Sequence, residues 1–133
     1  MTTDVPVGYP PTDSFPTEGT FYRLAVRGLT SGELAGPNCF LRPYQTLKGA
    51  LVGQRDDPEA HGLSIRSSLE ALERARDLNP RIARKPVAEF IISQRDGWVK
   101  HTPEEGEGHH DWWTAPPGYV PEAYIVAEAR EVA

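Results

Sequence analysis

The sequence predicts an α+β fold, a single domain whose twisted sheet is mostly antiparallel, and three observations carry that expectation. Short runs with strand character outnumber helical ones, and one strongly helical stretch lies between two of them. The pair Asp96-Gly97 joins its flanking runs too tightly for the long crossover that parallel strands need, so a doubly wound parallel sheet is disfavoured. A chain of 133 residues is the length of one ordinary domain.

Residues 1–19 are rich in proline (Pro6, Pro10, Pro11, Pro16) and carry Asp4, Asp13 and Glu18 with no basic residue. They contain too little apolar surface to offset the entropy of ordering, and the segment reads as a disordered acidic tail that Tyr9 or Phe15 could pin to the domain. The folded unit is therefore expected over residues 20–133. Residues 20–27 alternate Tyr22, Leu24 and Val26 against Phe21, Arg23, Ala25 and Arg27, which predicts a half-buried strand with two arginines on one face, ending at Gly28. Glycine and proline then break every period up to Gly62, apart from a short helical spacing over Tyr44–Val52. Residues 62–66 read as a strand. Ser67 with Glu70 three residues on forms a capping box, Leu69, Leu72, Ala75 and Leu78 follow at helical spacing, Glu70 and Arg74 are placed for an i,i+4 pair, and Asn79-Pro80 stops the helix at 67–78. Val87–Ser93 is a central strand by composition, Asp96-Gly97 a hairpin turn, and Trp98–Thr102 the returning strand. Glu104–Gly108 is an acidic loop, and His109–Thr114 and Tyr124–Ala129 are the last two strands.

Of the net charge of −5, the first nineteen residues hold −3, which leaves −2 for the folded part and argues against non-specific nucleic-acid binding. No run approaches the ~18 apolar residues of a membrane span, and no signal peptide is visible at the start. The one cysteine, Cys39, has no partner for a disulfide, which suggests a reducing cytoplasm.

Several residues carry chemistry. Arg23, in mid-strand, reads either as a surface arginine or as a guanidinium fork for a phosphate or carboxylate. Ser64 runs into the N-terminus of the helix, where negative charge collects. Glu89 and Glu128 are strand carboxylates that burial would turn into acid or base candidates, and position does not choose between them. His101, His109, His110 and Asp111 fall close together. Adjacent strand residues face opposite ways, so only one of His109 and His110 can serve a given site, and with no ligand pair at helical or Cys-x-x-Cys spacing no metal is expected. Trp112 and Trp113 likewise alternate, one entering the core and the other either lying exposed as a stacking platform or protein interface or packing under the proline-rich loop at 115–121.

The order Phe21-Tyr22-Arg23-Leu24, a loop-rich stretch, Gly62-Leu63-Ser64-Ile65 entering a helix, apolar strands and a late glutamate resembles that of small bacterial ADP-ribosyltransferase-like toxin and effector domains. The resemblance implies NAD as substrate, with Arg23 holding it, Ser64 lining the nicotinamide pocket and Glu128 orienting the ribose. Ser64, Glu89 and Glu128 are thus the catalytic candidates, and Arg23, Ser64, His109 and Trp112 the candidates for binding NAD. The competing expectation is a non-enzymatic module that binds a protein partner through its Trp-rich surface and acidic tail.

Overall fold

The computed structural model describes residues 5–46 and 51–130. Its strands are β1 (Phe15–Pro16), β2 (Gly19–Leu24), β3 (Leu63–Arg66), β4 (Val87–Ile92), β5 (Gly97–His101), β6 (His109–Thr114) and β7 (Ala123–Ala127), with helices α1 (Leu69–Leu78) and α2 (Pro80–Ala83) between β3 and β4. The seven strands form one antiparallel sheet in the order β1-β5-β6-β3-β2-β4-β7, and α1 is the one helix longer than a single turn among the described residues. This is the α+β domain the sequence predicts. Among the described residues, no helix is long and apolar enough to cross a membrane.

The sheet behaves as two halves joined at a narrow hinge. β2 pairs with β4 along its whole length, from Gly19 opposite Ile92 to Leu24 opposite Val87, but meets β3 at the single pair Tyr22 and Arg66. Beyond that pair the two strands part, and the halves fold toward each other. The ring of Phe90 on β4 stacks on Trp112 of β6 with centroids 5.6 Å apart, although two strands separate them in the sheet order. Phe21, Leu63, Ile65, Ile92, Val99 and Ile125 complete this concave core, and each such side chain contributes ~1.5–3 kcal/mol by leaving water. On β2 the buried side is therefore the one that carries Phe21, Arg23 and Ala25, the side expected to be the more polar. Tyr22 and Leu24 face the other way, toward the helices.

The fold of the sheet also corrects the expected hairpin. β4 and β5 are not neighbours: Ser93–Asp96 closes a 3-10 turn through a bond from Ser93 N to Asp96 Oδ2 (2.8 Å), and the chain crosses to the opposite half-sheet. Such a short link can make that crossing because the halves are folded together. Asp96 then anchors the far side, its carbonyl accepting from Trp112 Nε1 at 3.1 Å.

Helix α1 lies against β2 and β3 on the convex face with Ala71 and Leu72 buried. Its cap is Ser68, whose hydroxyl accepts from Ala71 N at 3.2 Å, one residue later than expected, because Ser67 N still donates to Gly108 O at 3.0 Å. Arg74 does not pair along the helix with Glu70. It turns to Glu107, which accepts from Nε at 3.1 Å and Nη2 at 2.5 Å. The helical spacing over Tyr44–Val52 falls partly outside the described residues. Within them, Pro43–Gln45 is a 3-10 turn.

The amino-terminal segment differs from its expectation as a disordered tail. Phe15 pairs with Val99 and Pro16 with Trp98 at the sheet edge, Tyr9 donates its hydroxyl proton to Thr114 O at 2.6 Å, and Asp13 meets Lys100 at 2.8 Å. Composition misjudged the segment because its few apolar and polar anchors reach a prepared surface; Tyr9 also sets its ring edge-on to His61 at 5.7 Å. A chain lacking residues 1–16 is therefore expected to lose ~2 kcal/mol, read as a drop of several degrees in the thermal midpoint. An unchanged midpoint would mean that these contacts contribute nothing.

Candidate functional site

A cleft of about 480 Å³ opens on the convex face where β2 and β3 part. The strand ladder places its floor: Ser64 and Arg66 project from β3 to the side opposite the buried Leu63 and Ile65, and His109, paired with Arg66, projects from β6 to the same side. Helices α1 and α2 form the wall through Leu72, Asn79 and Ile82, with Lys85 beyond. Three cations, Arg23, Arg66 and Lys85, thus face one carboxylate, Glu105. A second cleft of about 410 Å³ shares Ser64 and Glu105 with the first, and adds Asp13, Glu59, Glu104 and Asp111 against Lys100. The two form one groove that is basic on the α1 side and acidic on the β1 side, with Ser64 and Glu105 at the join.

Arg23 is the residue that the parting strands use most fully. Its Nε donates to Cys39 O at 2.7 Å, Nη1 to Ser64 O at 2.6 Å and Nη2 to Leu41 O at 3.3 Å, so the guanidinium supplies donors that a β2 backbone would have offered. Burial, with the charge of Arg42 second, lowers its pKa to about 10. Arg66 is more open. Its Nη1 donates to Glu107 O at 2.9 Å, and a Cβ on Gly106 would lie 2.6 Å from that same nitrogen, so the glycine at φ +138° gives the arginine its passage. Lys85 is exposed, and its side chain makes no hydrogen bond or ion pair among the described residues.

At the acidic end, Glu105, His109 and Asp111 bring one donor atom each to within 4.8 Å of one another. Burial above all, and then the charge of Arg66, lowers the His109 pKa to about 4, so the imidazole is neutral at pH 7. Asp111 is raised to about 6 by burial and by the neighbouring Glu105, against a hydrogen bond from Thr102 that favours its charged form. Thr102 Oγ1 also lies 2.6 Å from His109 Nδ1.

The residues singled out from the sequence are only partly brought together. Arg23, Ser64 and His109 line the basic cleft. His110 takes the opposite face, stacked on His101 at 4.6 Å and edge-on to Phe21 at 5.8 Å. Glu89 stands on the convex face beside Tyr22 and Tyr124, outside the cleft; the pKa of Tyr22 is raised by burial and then by the neighbouring charge of Glu89. Glu128 lies beyond β7, where its Oε2 accepts from Ser31 N at 3.2 Å and its carbonyl accepts from Arg76 at 2.5 Å, away from Arg23 and Ser64. Trp112 is fully enclosed in the core, so it offers no ring to a ligand. Trp113 is enclosed as well, its Nε1 donating to Pro58 O at 2.8 Å while its ring covers Gly62; of the two alternatives the exposed platform is ruled out, and the ring packs on residues 58–62 where the loop at 115–121 was expected. Arg66 and Glu105 were not among the site residues expected from the sequence, where Glu105 was only part of the acidic loop Glu104–Gly108; the two glycines within that loop, Gly106 and Gly108, were the visible sign of a chain bent close around other groups.

Fold and groove define an α+β domain, an antiparallel sheet folded on itself with a cleft of two opposite charges on its helix-bearing face. Comparison of the chain with protein-family models, with curated proteins and with solved structures returns no match.

Proposed function

We propose that the groove takes a phosphorylated ribosyl ligand of the NAD class and that the protein cleaves or transfers at the nicotinamide–ribose bond, in the manner of an ADP-ribosyltransferase-like or NAD-glycohydrolase toxin or effector domain. The observation that carries this reading is the change of sign along one groove, with Ser64 and Glu105 at the join. Arg66 and Lys85 are the cations open to a pyrophosphate, the planar fork of Arg66 matching two oxygens and Lys85 acting as a point charge. The combined space suits a small-molecule site, which is typically ~300–1,000 Å³. With phosphates at the basic end, the ribose reaches Ser64 and its C1′ lies toward Glu105. As the bond to the nicotinamide nitrogen breaks, the electron pair leaves with the ring and positive charge grows on the sugar. A fixed carboxylate stabilises that charge more than it stabilises the bound substrate, and it accepts the proton of the attacking water or acceptor hydroxyl. Glu105 takes this part because it stands in the groove. The proposal places the protein in the cytoplasm, where the buried free thiol of Cys39 stays reduced.

Calorimetry with NAD and an assay of nicotinamide release test the reading. Arg66→Met is expected to weaken NAD binding ~10- to 100-fold, the worth of one charge-assisted fork at ~1.4 kcal/mol per decade. Glu105→Gln, on an exposed loop, is expected to keep binding and lose turnover by ~100-fold or more. No binding at millimolar NAD, or turnover undiminished in Glu105→Gln, would remove the proposal.

A further inference from the structure

We propose that Glu105, His109 and Asp111 form a binding site for a divalent cation of the zinc class. Thr102 Oγ1 lies 2.6 Å from His109 Nδ1 and engages that ring nitrogen, which leaves Nε2 as the one directed at the cluster. When Nδ1–H donates to the threonine hydroxyl, Nε2 offers its lone pair to a cation. The His109 side chain is 6% exposed, and Nε2 lies 3.4 Å from Glu105 Oε2. The distance is long for a hydrogen bond, yet it equals the edge of a tetrahedron whose centre lies ~2.1 Å from each corner, the bond length of zinc to nitrogen and oxygen.

The three donors come from two places in the chain. His109 and Asp111 are alternate residues of β6 and so share its convex face, while Glu105 is delivered by the 3-10 turn Pro103–Glu105. Two carboxylates and one imidazole suit a borderline cation, with water at the open position. Thr102 is a positioning residue, the outer partner that orients a ligating histidine. Sequence spacing pointed away from a metal because His109 and His110 diverge and Glu105 belongs to a loop rather than to the strand. The inference does not rest on NAD binding, and its test uses the metal alone. Where both proposals hold, bound zinc and the ribosyl centre draw on the same Glu105, and nicotinamide release falls as zinc saturates.

The full chain, stripped with chelator and dialysed, is titrated with zinc chloride in a calorimeter, with circular dichroism as the check on folding. About one equivalent is expected to bind with micromolar affinity. Glu105→Gln is expected to weaken it ~10-fold or more, His109→Ala to abolish it, and Thr102→Val to weaken it ~10- to 100-fold. Because Glu105 is exposed, its variant decides the matter even if His109→Ala fails to fold. Absence of saturable binding up to millimolar zinc overturns the proposal. So does wild-type affinity in Glu105→Gln, including the case where affinity is lost in His110→Ala, which would assign the metal to the stacked His101 and His110 on the other face.

Discussion

Gly97→Ala is expected to leave the chain unfolded or to lower its thermal midpoint by more than ~15 °C. Gly97 opens β5 at φ +133°, a conformation that side chains rarely adopt, and a Cβ there would stand 2.1 Å from Trp113 O, 2.9 Å from Thr114 Cα and 3.0 Å from Ala115 N. All three contacts are main chain, so no side chain can rotate away. Relief requires β5 to separate from β6, which would pull Val99 and Trp112 apart and break the bond from Trp112 Nε1 to Asp96 O. A cost of ~4 kcal/mol or more follows, at the upper end for single substitutions. Thermal melting of the variant beside Gly118→Ala checks this. Gly118 also has positive φ (+84°) but nothing within 4 Å of its would-be Cβ, so it reports backbone strain without the clash. Equal losses in the two variants would show that strain alone sets the cost and that the close approach to β6 has no weight.

Arg23→Ala carries the second large effect, and it is an effect on stability. The guanidinium donates to three carbonyls, from Cys39, Leu41 and Ser64, and its carbon lies 5.9 Å from the centre of the Phe40 ring. Its removal frees those carbonyls in the gap between β2 and β3, a loss of ~3 kcal/mol from charge-assisted bonds and unpaired acceptors, or ~10 °C in the midpoint. Arg66→Met, by contrast, is expected to shift the midpoint by no more than a few degrees, because Arg66 gives a single bond to Glu107 O. An Arg23→Ala protein with an unchanged midpoint and weakened NAD binding would reverse this assignment and make Arg23 the anion fork that its strand position first suggested.

Most of the fold was legible in the sequence because it depends on local pattern. The bounds of β6 and the stop of α1 at Asn79-Pro80 agree with the structure, since alternation and capping act over a few residues. The α+β class followed from the mix of such elements. Ser64 and His109 were visible as candidates for the same reason: a strand period tells which residues share a face, and Leu63 and Ile65 left Ser64 outward.

What only the tertiary structure decided is the set of contacts between residues far apart in the chain. The single β2–β3 pair at Tyr22 and Arg66 bends the sheet, and no local signal marks it. That bend sends β5 away from β4 despite the Asp96-Gly97 turn, encloses both Trp112 and Trp113, and opens the cleft that Arg23 bridges. It also chooses between the carboxylates. Glu128 is carried past the end of β7 to Ser31, while Glu105 arrives beside His109 on a loop whose composition suggested only solvation. The proline-rich segment illustrates the same physics from the other side: its residues bury little by themselves, and they order because β5, Thr114 and Lys100 present partners for Phe15, Tyr9 and Asp13. Alternation and capping are written in neighbouring residues. Pairing across the sheet is set by the packing free energy of the whole chain, which no single window of sequence contains.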